Sequence, residues 1–152
     1  MDGSNGSGDG LMAALFEAGG GLFALDTSRI EEIARAPAIT PVRGSGDAVL
    51  GIANLRGRII TVLDATALLG LGRAAAGDDA RILVTASGGE SVGVLVERLR
   101  DVAEVERSSL RALSAGTARG GRAVREDLFL GAFEAQGRTA ALLDPDKVLA
   151  AG

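Results

Sequence analysis

The chain has 152 residues, 47% of them hydrophobic, with 16 basic and 20 acidic side chains giving a net charge of −4. That is apolar mass for one compact domain, split at most into two small lobes, and the scattered basic residues form no stripe to track a phosphate backbone, which excludes nucleic acid as a partner. Cysteine, histidine, tyrosine and tryptophan are absent, which removes disulfides and thiolate chemistry, the side chain best suited to proton transfer near neutral pH, and stacking platforms for bases.

The elements follow in chain order. Residues 1–10, "MDGSNGSGDG", are too polar to bury anything and read as a disordered tail, with order expected from Leu11 and one domain over 11–149. Short apolar runs at 11–16, 22–25, 49–53, 59–63, 81–86, 92–96, 102–105, 128–133 and 139–143 are closed by Gly-containing or charged segments such as "EAGGG", "SGGES" and "EAQGR". Runs of this length, rich in β-branched residues, predict strands and hairpins, and about nine of them in a small domain predict closed or nearly closed barrels. Three short helices interrupt the pattern. "DTSRIEEI" (26–33) offers Thr27 or Ser28 as N-cap, with Glu31 in capping-box register to Ser28; "DATALLGL" (64–71) turns after Asp64; "DPDKVLAA" (144–151) sets a capping Asp144 before Pro145. The segments "GRIITVLDATALL" and "GRTAALLDPDKVL" share one plan of Gly-Arg, apolar strand, Leu-Asp and short helix, which suits a pair of small barrels.

Chemistry-bearing motifs are sparse. "GSGDAV" (44–49) has two glycines of a dinucleotide fingerprint but neither the third nor the strand–helix context, so it reads as a turn. The acidic pairs Glu31/Glu32 and Asp78/Asp79 fall short of the six or more oxygen ligands a hard cation takes. "RALSAGTARGGRAVRED" (111–127) gathers four arginines without apolar anchors and reads as a loop. With Lys147 the single lysine, an enzyme would have to work through carboxylates or hydroxyls, and the expectation is a non-enzymatic protein without cofactor or metal. No basic and apolar leader opens the sequence and no apolar run approaches the roughly 18 residues of a membrane span, so a cytoplasmic protein without membrane insertion is expected.

The stretch "GIANLRGRIITVLD" (51–64) sets Arg56-Gly57 between two apolar segments. Two strands joined by a tight turn at that step would project Arg56 from a rigid support, where its planar fork of donors suits a carboxylate or the exposed carbonyls of a partner helix. The alternative is an internal salt bridge, with Glu32 as candidate partner. The residues alone leave both open.

"FALDTSRIEEI", "VLGIANLRGRIITVLD", "VGVLVERLRDVAEV" and "FLGAFEAQGRTAALLDPDKVL" resemble, in order, the signature segments of the CheW family, the adaptors that couple chemoreceptors to the histidine kinase CheA in bacterial chemosensory arrays. "NLRG" followed by a strand and aspartate is the most specific part. The resemblance implies a mainly β fold of two five-stranded SH3-like barrels packed side by side with a few short helices. It implies a scaffold at cytoplasmic receptor arrays, holding the helical-hairpin tip of a chemoreceptor in the groove between the barrels and the kinase's regulatory domain on barrel faces. By the same resemblance Arg56 is the receptor-binding arginine, within the "NLRG" segment that also holds Asn54 and Gly57; Ile30 and Glu32 lie on the same side, and Gly51 and Gly93 match glycines associated with partner binding. An apolar floor with a charged rim is a physically sensible receiver for an amphipathic helical hairpin. The family pattern after "NLRG" has a late proline and "DLR", where this chain has Thr61 and "DAT" (64–66). That departure permits a specialised member that binds receptors without recruiting the kinase. An alternative of another class is a small β-barrel ligand-binding protein or enzyme with a carboxylate site.

Overall fold

Hairpins closed by two-residue turns build most of this molecule. The computed structural model describes residues 10–42, 46, 48–87, 89–112 and 126–151. Ten strands appear among them: β1 Gly10–Ala18, β2 Gly21–Asp26, β3 Ile30–Arg35, β4 Val49–Leu55, β5 Arg58–Asp64, β6 Arg81–Ser87, β7 Glu90–Val96, β8 Arg98–Glu106, β9 Phe129–Ala135 and β10 Arg138–Leu143. Two short α-helices, α1 Ala65–Leu68 and α2 Pro145–Ala151, follow β5 and β10.

The strands form two five-stranded sheets, ordered β9-β10-β2-β1-β8 and β3-β6-β7-β5-β4. Each curls into a small barrel of SH3-like type. Barrel one therefore joins the first two strands of the chain to the last three, while barrel two is made of the five between. Each sheet has one parallel seam among antiparallel neighbours: β10 against β2, with Ala141 beside Phe23, and β5 against β7, with Val62 beside Gly93. The shared plan of 57–69 and 137–149 is thus a structural repeat, in which a hairpin, a parallel seam and a short helix recur in each barrel.

Alternation of side chains along the strands supplies three apolar clusters. Leu15, Leu22, Phe133 and Leu142 fill barrel one, and Ile60, Val62, Ile82 and Val84 fill barrel two. The neighbours Phe16, Phe23 and Leu83 belong to a third cluster shared by both barrels, with Leu69 after α1 and Val148 of α2. Phe23 lies between Phe16 and Phe129 with ring centroids 5.9 and 5.8 Å away. Since this cluster draws on both sheets and both helices, the barrels share one core.

The helices after the aspartates form as expected. Asp64 is 2% exposed; its Oδ1 accepts from the backbone N–H of Thr66 at 2.9 Å and Ala67 at 3.4 Å, and its Oδ2 accepts from Ala74 N–H at 3.0 Å. Asp144 caps α2 in the same way, accepting from Asp146 and Lys147 N–H. Replacing Asp64 by alanine strands three backbone donors in or near the core. We expect Asp64→Ala to cost about 2–3 kcal/mol, read in a denaturant melt, with Asp64→Asn intermediate because an amide offers an acceptor to one end of the trio only.

The helix expected over 26–33 is corrected. Only Thr27–Arg29 make a 3₁₀ turn, its N-cap is Asp26, whose side chain accepts from Ser28 N–H, and Ile30–Arg35 run on as β3. The reason is a β-bulge: Ile30 pairs with Thr85 and Glu32 with Val84, leaving Glu31 as an extra residue. The bulge places Ile30 and Ile33 three apart on one groove, a spacing that imitates helical periodicity. The described residues begin at Gly10, the first residue of β1; residues 1–9 of the expected tail, residues 44, 45 and 47 of the glycine turn, and 113–125 of the arginine-rich stretch lie outside the described residues. Arg29 fastens the junction between barrels. Its guanidinium donates to Ala86 O at 3.0 and 3.2 Å and to Asp146 at the start of α2 at 2.6 Å. The hydrogen bond to Asp146 is the main cause that raises its pKa above the ordinary value.

Candidate functional site

The β4–β5 connection is a two-residue turn in register Leu55 to Arg58. Arg56 and Gly57 both have positive φ, 55° and 86°, the signature of a type I′ turn that matches the twist of the flanking strands. Asn54 Oδ1 accepts from Gly57 N–H at 2.9 Å and fixes the turn. Arg56 therefore projects from a braced support, as the sequence predicts.

Arg56 is both paired and exposed. Its Nε lies 3.2 Å from Glu32 Oε2, while its side chain remains 82% exposed and that of Glu32 only 22%. A pair this exposed contributes little to stability, so the contact orients the guanidinium while leaving it presented. Beside it, Arg58 stands 3.8 Å from Glu31, whose carboxylate also accepts from Ser91 Oγ at 2.6 Å. These contacts join the β4–β5 hairpin to β3, which stand at opposite ends of the sheet order, and so close barrel two.

Glu32 leads from this tip into an apolar groove of about 310 Å³ between the barrels. Barrel two supplies Ile30 and Ile33 from β3, and barrel one supplies Ala14 from β1 and Val102 from β8, which pair across the sheet. Ile33 and Val102 are 48% and 50% exposed. Their exposed apolar side chains converge on one concave strip. Ile30 is half-buried, packed on the shared core, and anchors the floor.

Of the residues selected from sequence, Ile30 and Glu32 line this groove, Arg56 is tied to it through Glu32, and Asn54 and Gly57 shape the turn that holds Arg56. Gly51 and Gly93 do not line it. Gly51 is buried at a β4 bulge with φ 146°, where an added Cβ would stand 2.0 Å from Thr40 O. Gly93 is buried beside the parallel seam, where a Cβ would meet Ile82 Cγ2 at 2.8 Å. Both glycines accordingly fit backbone and core together. Thr66, where the family pattern has arginine, is fully buried and donates to Glu97 at 3.2 Å. Ile33, Ala14 and Val102 are not legible from sequence. Their signal is weak: a bulged strand hides the spacing of Ile33, and Val102 and Ala14 reach the groove only through the pairing of β1 with β8.

A second concavity of about 520 Å³, at the end of barrel one, is lined by Glu104, Glu106, Ser109, Arg111, Phe133 and Glu134. Its carboxylates are exposed, and Glu134 is engaged by Arg111 at 2.7 Å and Thr139 at 2.9 Å. Carboxylate catalysis draws on burial to tune acidity, which these positions lack. Among the described residues no cluster of three acidic, histidine or cysteine side chains could hold a metal ion, and no helix is long and apolar enough to cross a membrane.

Comparison with known proteins agrees with this geometry. No curated relative matches the sequence. Among solved structures, the scaffolding protein TtCheW from Thermoanaerobacter tengcongensis superposes with a TM-score of 0.79 at 20% identity, covering 91% of this chain and 86% of that one. A likeness at that identity establishes the two-barrel fold. The model of the CheW-like domain matches residues 13–152, nearly the whole sequence, and the chain belongs to the CheW-like family.

Proposed function

We propose that the protein is a non-enzymatic scaffold of a bacterial chemosensory array, which seats the cytoplasmic tip of a chemoreceptor in the inter-barrel groove and links it to the regulatory domain of a CheA-type histidine kinase. The observation that carries this reading is the groove itself: Ile30, Ile33, Ala14 and Val102 form an apolar strip contributed by both barrels, and an exposed, oriented Arg56 stands at its edge. An amphipathic helical hairpin would lay its apolar face on that strip and offer a carboxylate or helix-end carbonyls to the guanidinium. Family membership and the TtCheW likeness support the scaffold class. The exposed, partly engaged carboxylates at the end of barrel one weigh against a carboxylate enzyme. Binding of a purified receptor tip, followed by calorimetry, tests the reading. Ile33→Asp puts a charge on the strip at a position that is already half exposed, so we expect at least about tenfold weaker binding with an unchanged melting temperature. Equal binding by this variant would remove the groove from the account.

A further inference from the structure

Thr27 stands where the chain crosses from one barrel to the other. Asp26 ends β2 in barrel one, Thr27–Arg29 make the 3₁₀ turn, and Ile30 opens β3 in barrel two. Because Asp26 pairs with Ala13, the turn starts beside β1, and Thr27 lines the inter-barrel groove with Ala14 and Val102 from one barrel and Ile30 and Ile33 from the other. It is half-buried.

The Thr27 hydroxyl serves no contact of the fold. The N-cap role open to a threonine at this place falls to Asp26, whose carboxylate accepts from Ser28 N–H at 2.9 Å, and the turn closes through Thr27 O, which accepts from Ile30 N–H. Among the described residues no group bonds the hydroxyl. The other polar side chains on the groove are engaged: Glu31 by Ser91 at 2.6 Å and Arg58 at 3.8 Å, and Glu32 by Arg56 at 3.2 Å. Asp26, next in the chain, faces Arg107 at 3.8 Å. Among the described residues Thr27 is thus the polar side chain of the groove whose hydrogen-bonding capacity is unused.

A half-exposed hydroxyl is satisfied by solvent while the groove is open. A helical hairpin laid on the strip removes that solvent, and a hydroxyl sealed without a partner weakens binding. Valine has nearly the same shape and suits an apolar strip better, so threonine is useful here when the occupant pairs with it. The neighbouring carboxylates are each matched by an arginine, which leaves a neutral polar group as the fitting partner.

We propose that Thr27 is a specificity-determining residue of the groove, which hydrogen-bonds a neutral polar side chain, an amide or a hydroxyl, set within the apolar face of the hairpin. The proposal rests on the receptor-tip reading and adds the contact by which the groove tells one apolar helical face from another. Apolar burial is non-directional, whereas a site built around a hydrogen bond rejects a ligand that lacks the partner.

The test titrates a purified chemoreceptor tip hairpin into the full chain and into Thr27→Val, Thr27→Ser and Ile33→Asp, with melting temperatures recorded in parallel. The sign of the valine effect decides. We expect about tenfold weaker binding for Thr27→Val, binding within about threefold of wild type for Thr27→Ser, and unchanged melting for both, since neither loses an internal bond. Replacing each Asn, Gln, Ser and Thr of the hairpin by alanine in turn should find one whose loss weakens binding to wild type and not to Thr27→Val. Binding by Thr27→Val equal to or tighter than wild type, while Ile33→Asp still fails, would overturn the role of Thr27 and leave the groove reading standing, as would a loss that couples to no hairpin side chain. Failure of the wild type to bind the folded hairpin would remove the groove reading and this inference with it.

Discussion

Gly51→Ala is expected to lower stability by roughly 3–5 kcal/mol, among the largest effects a single methyl can have in this chain. A Cβ there would stand 2.0 Å from Thr40 O and 2.6 Å from its carbonyl carbon, which are backbone atoms held by the Thr40–Ile52 bridge at 2.8 and 2.9 Å. The residue also sits at φ 146°, outside the range that side chains adopt without strain. The equivalent Gly131 gives a graded comparison. Its Cβ would meet Leu110 Cβ at 2.9 Å and Arg111 O at 3.0 Å, so the loss should be smaller. Gly57, with open space around it and φ 86°, should lose only about 1 kcal/mol on replacement by alanine. Urea melts of the three variants should therefore rank Gly51, Gly131, Gly57 from worst to mildest. A Gly51→Ala protein as stable as Gly57→Ala would mean that the loop carrying Thr40 is not fixed against β4.

Arg56→Glu should abolish receptor-tip binding, at least about a hundredfold, in a protein that remains folded. The substitution turns the exposed end of the Arg56–Glu32 pair into a second carboxylate beside Glu32, repelling any acidic group the arginine would receive. Stability should hardly change, because the side chain is 82% exposed and such ion pairs are typically worth about 0.2–1 kcal/mol. Arg56→Gly sharpens the distinction. An arginine at φ 55° carries a left-handed penalty of about 1–2 kcal/mol that glycine does not. Gly-Gly also suits the type I′ turn. That variant should be at least as stable as wild type and still fail to bind. Backbone strain kept at Arg56 is then explained by the charge it presents.

How much of this was legible in the sequence follows from how local each determinant is. The turn at Arg56-Gly57 needs only its own residues and was readable, as were the caps at Asp64 and Asp144. Strand β3 was not, because a bulged residue at Glu31 changes the apolar spacing from two to three. The partition into barrels was only half visible. The sequence shows related hairpin endings, but the seating of β1 and β2 beside β10 and β8 depends on pairing between the two ends of the chain. Groove residues divide along the same line. Ile30, Glu32 and Arg56 are marked by motif, whereas Ala14 and Val102 gain their place from the β1–β8 register. Gly51 and Gly93 stand out in sequence, yet their burial shows why glycine is required at each: close approach of Thr40 at one and of Ile82 at the other.

The central claim is that the groove and barrel faces serve partners rather than a reaction. A paired pull-down of the purified chain, against a chemoreceptor's cytoplasmic tip and against the regulatory domain of a CheA-type kinase, tests it most directly. The account predicts capture by both baits, with Arg56→Glu released from the receptor tip. Capture by the receptor tip alone would contradict the kinase link, and capture by neither, with both baits shown to be folded, would contradict the scaffold itself.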